Sequence, residues 1–248
     1  MKKSNILLVN NTQGGSRMEY IDWNDKEEVL KLVQREGLYL KFASKELRND
    51  KDVVLTAVQQ NGWALQFTPE KLRSNKEIVL VAVQESGHSL VCASKKLRND
   101  KDVVLTAIQQ NGDALESASK KICNDKDIVM TAVQQYGLAL RFASEELRNN
   151  KNIVLAAVQQ NGLALQFTSK ELQNNKEIVL AALQSTPDAF EYASPRLKQD
   201  QEVQKAAESD ITQEPEKPDI DTVLGEARKW CQEHNDVSIT QPQHNIER

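Results

Sequence analysis

The chain repeats itself every 25 residues, and that period limits its fold more than any other feature. The segment LRNDKDVVLTAVQQNG at 47–62 returns as LRNDKDVVLTAIQQNG at 97–112, and LRSNKEIVLVAVQESG at 72–87 lies midway between them. The frame continues at Ile122, Leu147, Leu172 and Leu197, and runs back to a degenerate first unit at Asp22. Units therefore start at 22, 47, 72, 97, 122, 147 and 172, and a partial unit starts at 197 and ends at 208. A unit this short cannot fold alone. Ordering its backbone costs about 1–2 kcal/mol per residue, which a handful of aliphatic side chains cannot offset. Neighbouring units must supply the missing burial, so the units stack.

Each unit reads as two helices, which makes the fold class all-α, an α-solenoid of tandem 25-residue two-helix repeats. The pattern Asn49-x-x-Asp52, with Ser74-x-x-Glu77, Asn99-x-x-Asp102, Asn124-x-x-Asp127 and Asn174-x-x-Glu177, has the form of a capping box and marks a helix start near residue 50. Val53, Val54, Leu55, Ala57 and Val58 follow as an apolar stripe at helical spacing, and Gly62 stands where a left-handed C-terminal cap would end the run. The first helix thus spans Asp50 to about Asn61. A shorter apolar segment, Ala64, Leu65 and Phe67, is followed by Pro69, as a later one is by Pro195, so the second helix is short. Ser44, Ser94, Ser119, Ser144 and Ser169 recur where they can cap one further turn that carries Leu47 and its equivalents inward. Gln34, Gln59, Gln84, Gln109, Gln134, Gln159 and Gln184 hold one column almost without variation. A hydrogen-bonded ladder or a turn cap explains it most simply, and a ligand-binding stripe is the other reading.

With 39% hydrophobic but only 5% aromatic residues, the core must be built from Leu, Val, Ile and Ala, which suits helices packed on helices. Of the net charge of -4, residues 1–21 carry +2, 22–196 carry 0 and 197–248 carry -6. A neutral repeat body lacks the footprint of a nonspecific nucleic-acid binder. No stretch approaches the roughly eighteen apolar residues of a membrane span, and Ile6 to Val9 is too short for a secretory signal. Cys92, Cys123 and Cys231 are odd in number and irregular in spacing, which disfavours a disulfide framework or a closed zinc site and fits a reducing, cytoplasmic compartment in the producing cell.

The unit LRNDKxVVLxAVxxxGxALxxAS resembles a short helical repeat family of unknown function, whose proteins occur in intracellular bacteria, especially those that inject effectors into host cells, and in some protists. The resemblance covers about 175 of the 248 residues. It implies a helical array and a bacterial effector translocated into a host, and it carries no catalytic residues to transfer. Pro187 at the linking glycine, Cys123 at the Arg48 position and Ser117 at the Phe67 position depart from the pattern.

No enzymatic constellation emerges, so a catalytic role, a cofactor and a metal site are not expected. The histidines are His88, His234 and His244, and His88 occupies a variable, solvated position. Cys92 stands at a core position, whereas Cys123, where arginine is usual, is expected to be more exposed. Asp50, Asp52, Asp100 and Asp102 are read as caps, not as paired catalytic acids. Gly14-Gly15 lacks a following lysine and a capped helix, so a phosphate-binding loop is poorly supported, and residues 1–21 read as a floppy leader.

Binding surfaces are sought where repeats differ. One column runs Leu38, Trp63, His88, Asp113, Leu138, Leu163 and Asp188, and another, three residues on, runs Lys41, Gln66, Val91, Glu116, Arg141, Gln166 and Glu191. Either these are unconstrained surface, or they form a stripe for a protein partner with Trp63 as anchor. A lysine row, Lys26, Lys51, Lys76, Lys101, Lys126, Lys151 and Lys176, reinforced by Arg48, Arg73, Arg98 and Arg148, could follow nucleic-acid phosphates. Adjacent acids, from Glu27 and Asp52 to Glu177, favour charge pairing between units instead. Beyond the array, 209–219 reads as an acidic, proline-containing linker. Ile220, Val223, Leu224, Ala227, Trp230 and Cys231 mark a short amphipathic helix over 220–234, which would fold back on the last repeat or dock elsewhere. Residues 235–248 read as a disordered tail able to carry a secretion signal.

Overall fold

Seven helices of ten residues each recur at 25-residue steps: Lys26–Arg35, Lys51–Gln60, Lys76–Glu85, Lys101–Gln110, Lys126–Gln135, Lys151–Gln160 and Lys176–Ser185, followed by Gln201–Glu208. The computed structural model describes residues 5–10 and 16–208. Contacts divide the chain into residues 1–207 and 208–248. The linker, amphipathic helix and tail read from the sequence, together with His234, His244, Cys231 and Gly14-Gly15, lie outside the described residues.

The second helix of every unit is a 3₁₀ helix of six residues, as at Gly62–Phe67 and Gly137–Phe142, and a single turn follows, as at Leu97–Asn99 or Glu145–Arg148. Each long helix packs on the next long helix and each 3₁₀ helix on the next 3₁₀ helix, giving two continuous layers. Between the layers, Val53, Val54, Ala57, Val58, Ala64 and Leu65 are fully buried, and so are their equivalents Ile78, Val79, Ala82, Val83 and Leu90. Leu55 and its counterparts Leu80, Leu105 and Leu155 are only half-buried on the outer side of the long helices. A ten-residue helix is marginal in water, so its persistence here rests on this layer-to-layer burial.

Three local expectations need correction. The N-cap is the residue after the expected one: Asp50 Oδ1 accepts from the N–H groups of Asp52 and Val53 at 3.0 and 3.2 Å, and Asn75, Asp100, Asp125, Asn150 and Asn175 cap the following helices likewise. The preceding asparagines are used between turns. Ser119 Oγ donates to Asn99 Oδ1 at 2.6 Å, Ser169 to Asn149 at 2.5 Å and Ser194 to Asn174 at 2.7 Å, and Ser144 pairs with Asn124. Each of these serines also accepts the N–H three residues on, as expected of a cap for the single turn.

The second correction concerns the glycines. None of Gly37, Gly62, Gly87, Gly112, Gly137 and Gly162 is left-handed; instead a Cβ on Gly87 would lie 2.3 Å from the carbonyl oxygen of Ala107 in the next unit, and one on Gly62 would lie 2.2 Å from that of Ala82. The helix ends one residue earlier on Asn61, in extended conformation at φ -157. Glycine is therefore demanded by the next unit's backbone and not by its own turn.

The third correction is at the N-terminus, where residues 5–10 and 16–21 of the leader expected to be floppy pair as antiparallel strands. Strand β1 (Asn5–Asn10) pairs with β2 (Ser16–Ile21) in a register that sets Ile6 opposite Tyr20. The apolar run of Ile6 to Val9 suits a strand. Just beyond, Trp23 is buried, its ring centroid 5.2 Å from that of Phe42, and its carbonyl accepts from the Ser44 N–H. Trp23 thus holds the column that arginine fills in later units.

Candidate functional site

Stacking converts each sequence column into a physical row, and the lysine row illustrates how. Lys26 Nζ lies 2.7 Å from Asp50 and 3.3 Å from Asp52; Lys51 lies 2.7 Å from Glu77; Lys76 lies 2.9 Å from Asp100 and 2.7 Å from Asp102; Lys101 lies 2.5 Å from Asp125. Lys151 pairs with Glu177, and Lys176 with Asp200 and Glu202. The row is therefore internally neutralised, except at Lys126, where unit 6 offers Asn150 and Asn152 in place of carboxylates.

These contacts also tune the caps. On Asp50 and Asp100, burial is the strongest influence and pushes the carboxyl up, but the Lys26 or Lys76 hydrogen bond and the helix N–H donors together hold it below 3.8. On Asp125 and Asp200, the hydrogen bond from Lys101 or Lys176 is the strongest influence and again lowers it. A lowered carboxyl stabilises the fold fully above its unfolded value and loses that contribution as pH falls through the folded value. Below about pH 4, protection from amide hydrogen exchange is expected to fall first in the Asp-capped helices 51–60, 101–110, 126–135 and 201–208. The Asn-capped helices at 76–85, 151–160 and 176–185 should hold on longer, and a uniform loss would contradict this account.

The two variable columns both reach the surface. Trp63 is 39% and Val91 50% exposed, and His88, Gln66, Glu116 and Arg141 are also exposed, whereas Asp113, Leu138 and Leu163 are half-buried. Consecutive members meet: His88 Nε2 is 3.1 Å from Asp113 Oδ1, and Asn111 Nδ2 is 3.2 Å from His88 Nδ1. His88 is therefore held in place, and not merely solvated as its variability suggested. Arg141 lies over the Phe142 ring at 4.3 Å, and the Gln66 amide donates to the Trp63 carbonyl at 3.1 Å.

Gln66 also lines a notch of about 720 Å³ with Lys45, Arg48, Asn49, Phe67, Thr68 and Pro69. Elsewhere the N–H at the Pro69 position bonds to the previous turn, as Ser94 N does to the Arg73 carbonyl at 2.9 Å. Proline has no such donor, so this stitch is absent where the notch opens. A positionally equivalent notch of about 550 Å³ includes Gln166, Lys170, Gln173, Tyr192 and Pro195, and there Ser194 N–H keeps the stitch to the Gln173 carbonyl at 3.0 Å, so the missing stitch at Pro69 is not what opens these notches.

The glutamine column departs from its simplest reading. Gln34, Gln59, Gln84, Gln109, Gln134, Gln159 and Gln184 are exposed and make no side-chain hydrogen bond among the described residues. At the next position two side chains bond between units: Gln160 accepts from Gly137 N at 2.5 Å and donates to the Gln135 carbonyl at 3.3 Å, and Ser185 Oγ donates to the Val158 carbonyl at 2.6 Å. Cys123, expected to be exposed, is half-buried against the Leu115 carbonyl, and burial pushes its thiol up, as it does that of Cys92. Among the described residues, no group of three or more His, Cys, Asp or Glu is placed to hold a metal, and no helix is long and apolar enough to cross a membrane.

Two layers of short helices, held in register by contacts between units, define an α-solenoid repeat protein. Within that class, the family described as Domain of unknown function (DUF4116) matches residues 25–73, 53–98, 75–123, 100–148, 125–173 and 150–198, and the chain belongs to it. No curated protein and no solved structure matches the chain.

Proposed function

We propose that the array is a non-enzymatic scaffold that binds a protein along the row of 3₁₀ helices, with Trp63 as the anchor. The observation that carries this reading is the alignment of the most variable column into one surface row, in which His88 and Asp113 of adjacent units touch at 3.1 Å. A scaffold that holds its framework constant and varies such a row can change partners without changing fold. Asp50, Asp100 and Asp102, which could pass for paired acids, are committed to caps and ion pairs, which speaks against acid–base chemistry at those positions. Neutralisation of the lysine row favours a protein over a nucleic acid as partner. The family resemblance extends the reading to a bacterial effector acting on a host protein.

Trp63→Ala tests the proposal in an affinity capture with the full chain. A tryptophan anchor contributes about 2 kcal/mol or more, so one captured protein should weaken by roughly thirtyfold while far-UV circular dichroism stays unchanged. Equal recovery by both proteins would count against this surface.

A further inference from the structure

Four lysines stand apart from the neutralised row. Lys95 and Lys96 on one single turn, and Lys120 and Lys121 on the next, are all exposed, and none has a carboxylate or hydrogen-bond partner for its side chain among the described residues. The two turns are fastened together: Ser119 N–H donates to the Arg98 carbonyl at 2.9 Å, and Ser119 Oγ donates to Asn99 Oδ1 at 2.6 Å. The equivalent positions elsewhere carry less positive charge, being Lys45 and Glu46, Glu70 and Lys71, Glu145 and Glu146, Lys170 and Glu171, and Pro195 and Arg196. Among the described residues, the one pair of adjacent turns that carries two lysines each therefore lies mid-array, with Glu70 and Lys71 on the turn before and two glutamates on the turn after. Val91, half-exposed, precedes the first of these turns in its unit, and the exposed Glu116 precedes the second.

We infer that this patch binds a short acidic segment of a partner protein. Neighbouring helical units lie about 8–10 Å apart, so two lysine-bearing turns with their side chains reach roughly 20 Å. An extended chain rises about 3.3 Å per residue, so about six residues span it. A longer polyanion running along the array would meet Glu145 and Glu146 at one end, and these repel it. The short reach and the acidic borders thus select a peptide of limited length over a nucleic acid. The inference rests on the scaffold reading and specifies the chemistry of one partner feature.

The test uses the full chain and a fluorescein-labelled hexaglutamate peptide, read by anisotropy at low salt. The variant K95A/K96A/K120A/K121A should weaken binding at least tenfold, whereas K31A/K41A/K45A/K205A, which removes the same charge from exposed sites elsewhere, should change it less than threefold. Binding should also fall steeply as salt is raised. No binding by the wild type, equal losses in both variants, or tighter binding of an oligothymidylate with the same lysine dependence would each overturn the inference. Capture that depends on Trp63 tests the scaffold separately, so its survival alongside a negative peptide result would sink this inference alone.

Discussion

Gly87→Ala is expected to destabilise the array by about 3 kcal/mol, at the upper end of what overpacking usually costs. The added Cβ would lie 2.3 Å from the Ala107 carbonyl oxygen, with Asn111 Cβ and N at 3.2 Å behind it. A backbone carbonyl within a helix cannot step aside as a flexible side chain can, so the two units must separate locally. Gly112 provides the contrast. There the nearest atom is Tyr136 Cβ at 2.7 Å, and the Ala132 carbonyl is 3.0 Å away. Gly112→Ala should therefore cost less, about 1–2 kcal/mol. Urea denaturation followed by circular dichroism would rank the two; equal midpoints would show that contact between units does not set the requirement for glycine.

Leu115→Ala is the second large effect expected, at about 2–5 kcal/mol. Leu115 is fully buried in the 3₁₀ layer, whose members pack on one another from unit to unit. Removing its side chain opens a cavity facing two neighbours at once. Leu105→Ala, on the half-buried outer side of the long helix, should cost about 1 kcal/mol, because water already reaches part of that side chain. The same denaturation experiment distinguishes them, and hydrogen exchange should place the damage of Leu115→Ala in units 3 to 5. Comparable losses at the two sites would mean that the core has been assigned to the wrong side of the long helix.

The period and the buried positions were legible because they depend on spacing alone. Val53, Val54, Ala57 and Val58 can share one face only if the segment is helical, and 25-residue recurrence without insertion requires similar neighbours. What escaped were features decided across units. Asn49 and Asp50 can both cap, and the local pattern with Asp52 favoured Asn49; Lys26 contacting Asp50, and a serine on the next turn using the asparagine in equivalent units, decide for Asp50. Gly62 carries the same local signature whether it is left-handed or pressed against a neighbouring carbonyl. For the glutamines the pattern gave regularity without a cause, and the exposed side chains, unbonded among the described residues, rule out the ladder. The variable columns could be read as surface, but the contact of His88 with Asp113 needed the stack. The four lysines escaped because only the paired row recurs at every 25-residue step, whereas Lys95, Lys96, Lys120 and Lys121 stand where other units carry glutamate at least as often as lysine.

A series of shortened arrays most directly tests the claim that each unit draws its burial from the next. Chains with two, four and six units, each closed by residues 197–208, would be compared for helicity and urea midpoint. The account predicts that the two-unit chain is largely unfolded and that stability then climbs by a similar increment with every unit added. A two-unit chain with full helicity and the stability of the longest array would contradict it.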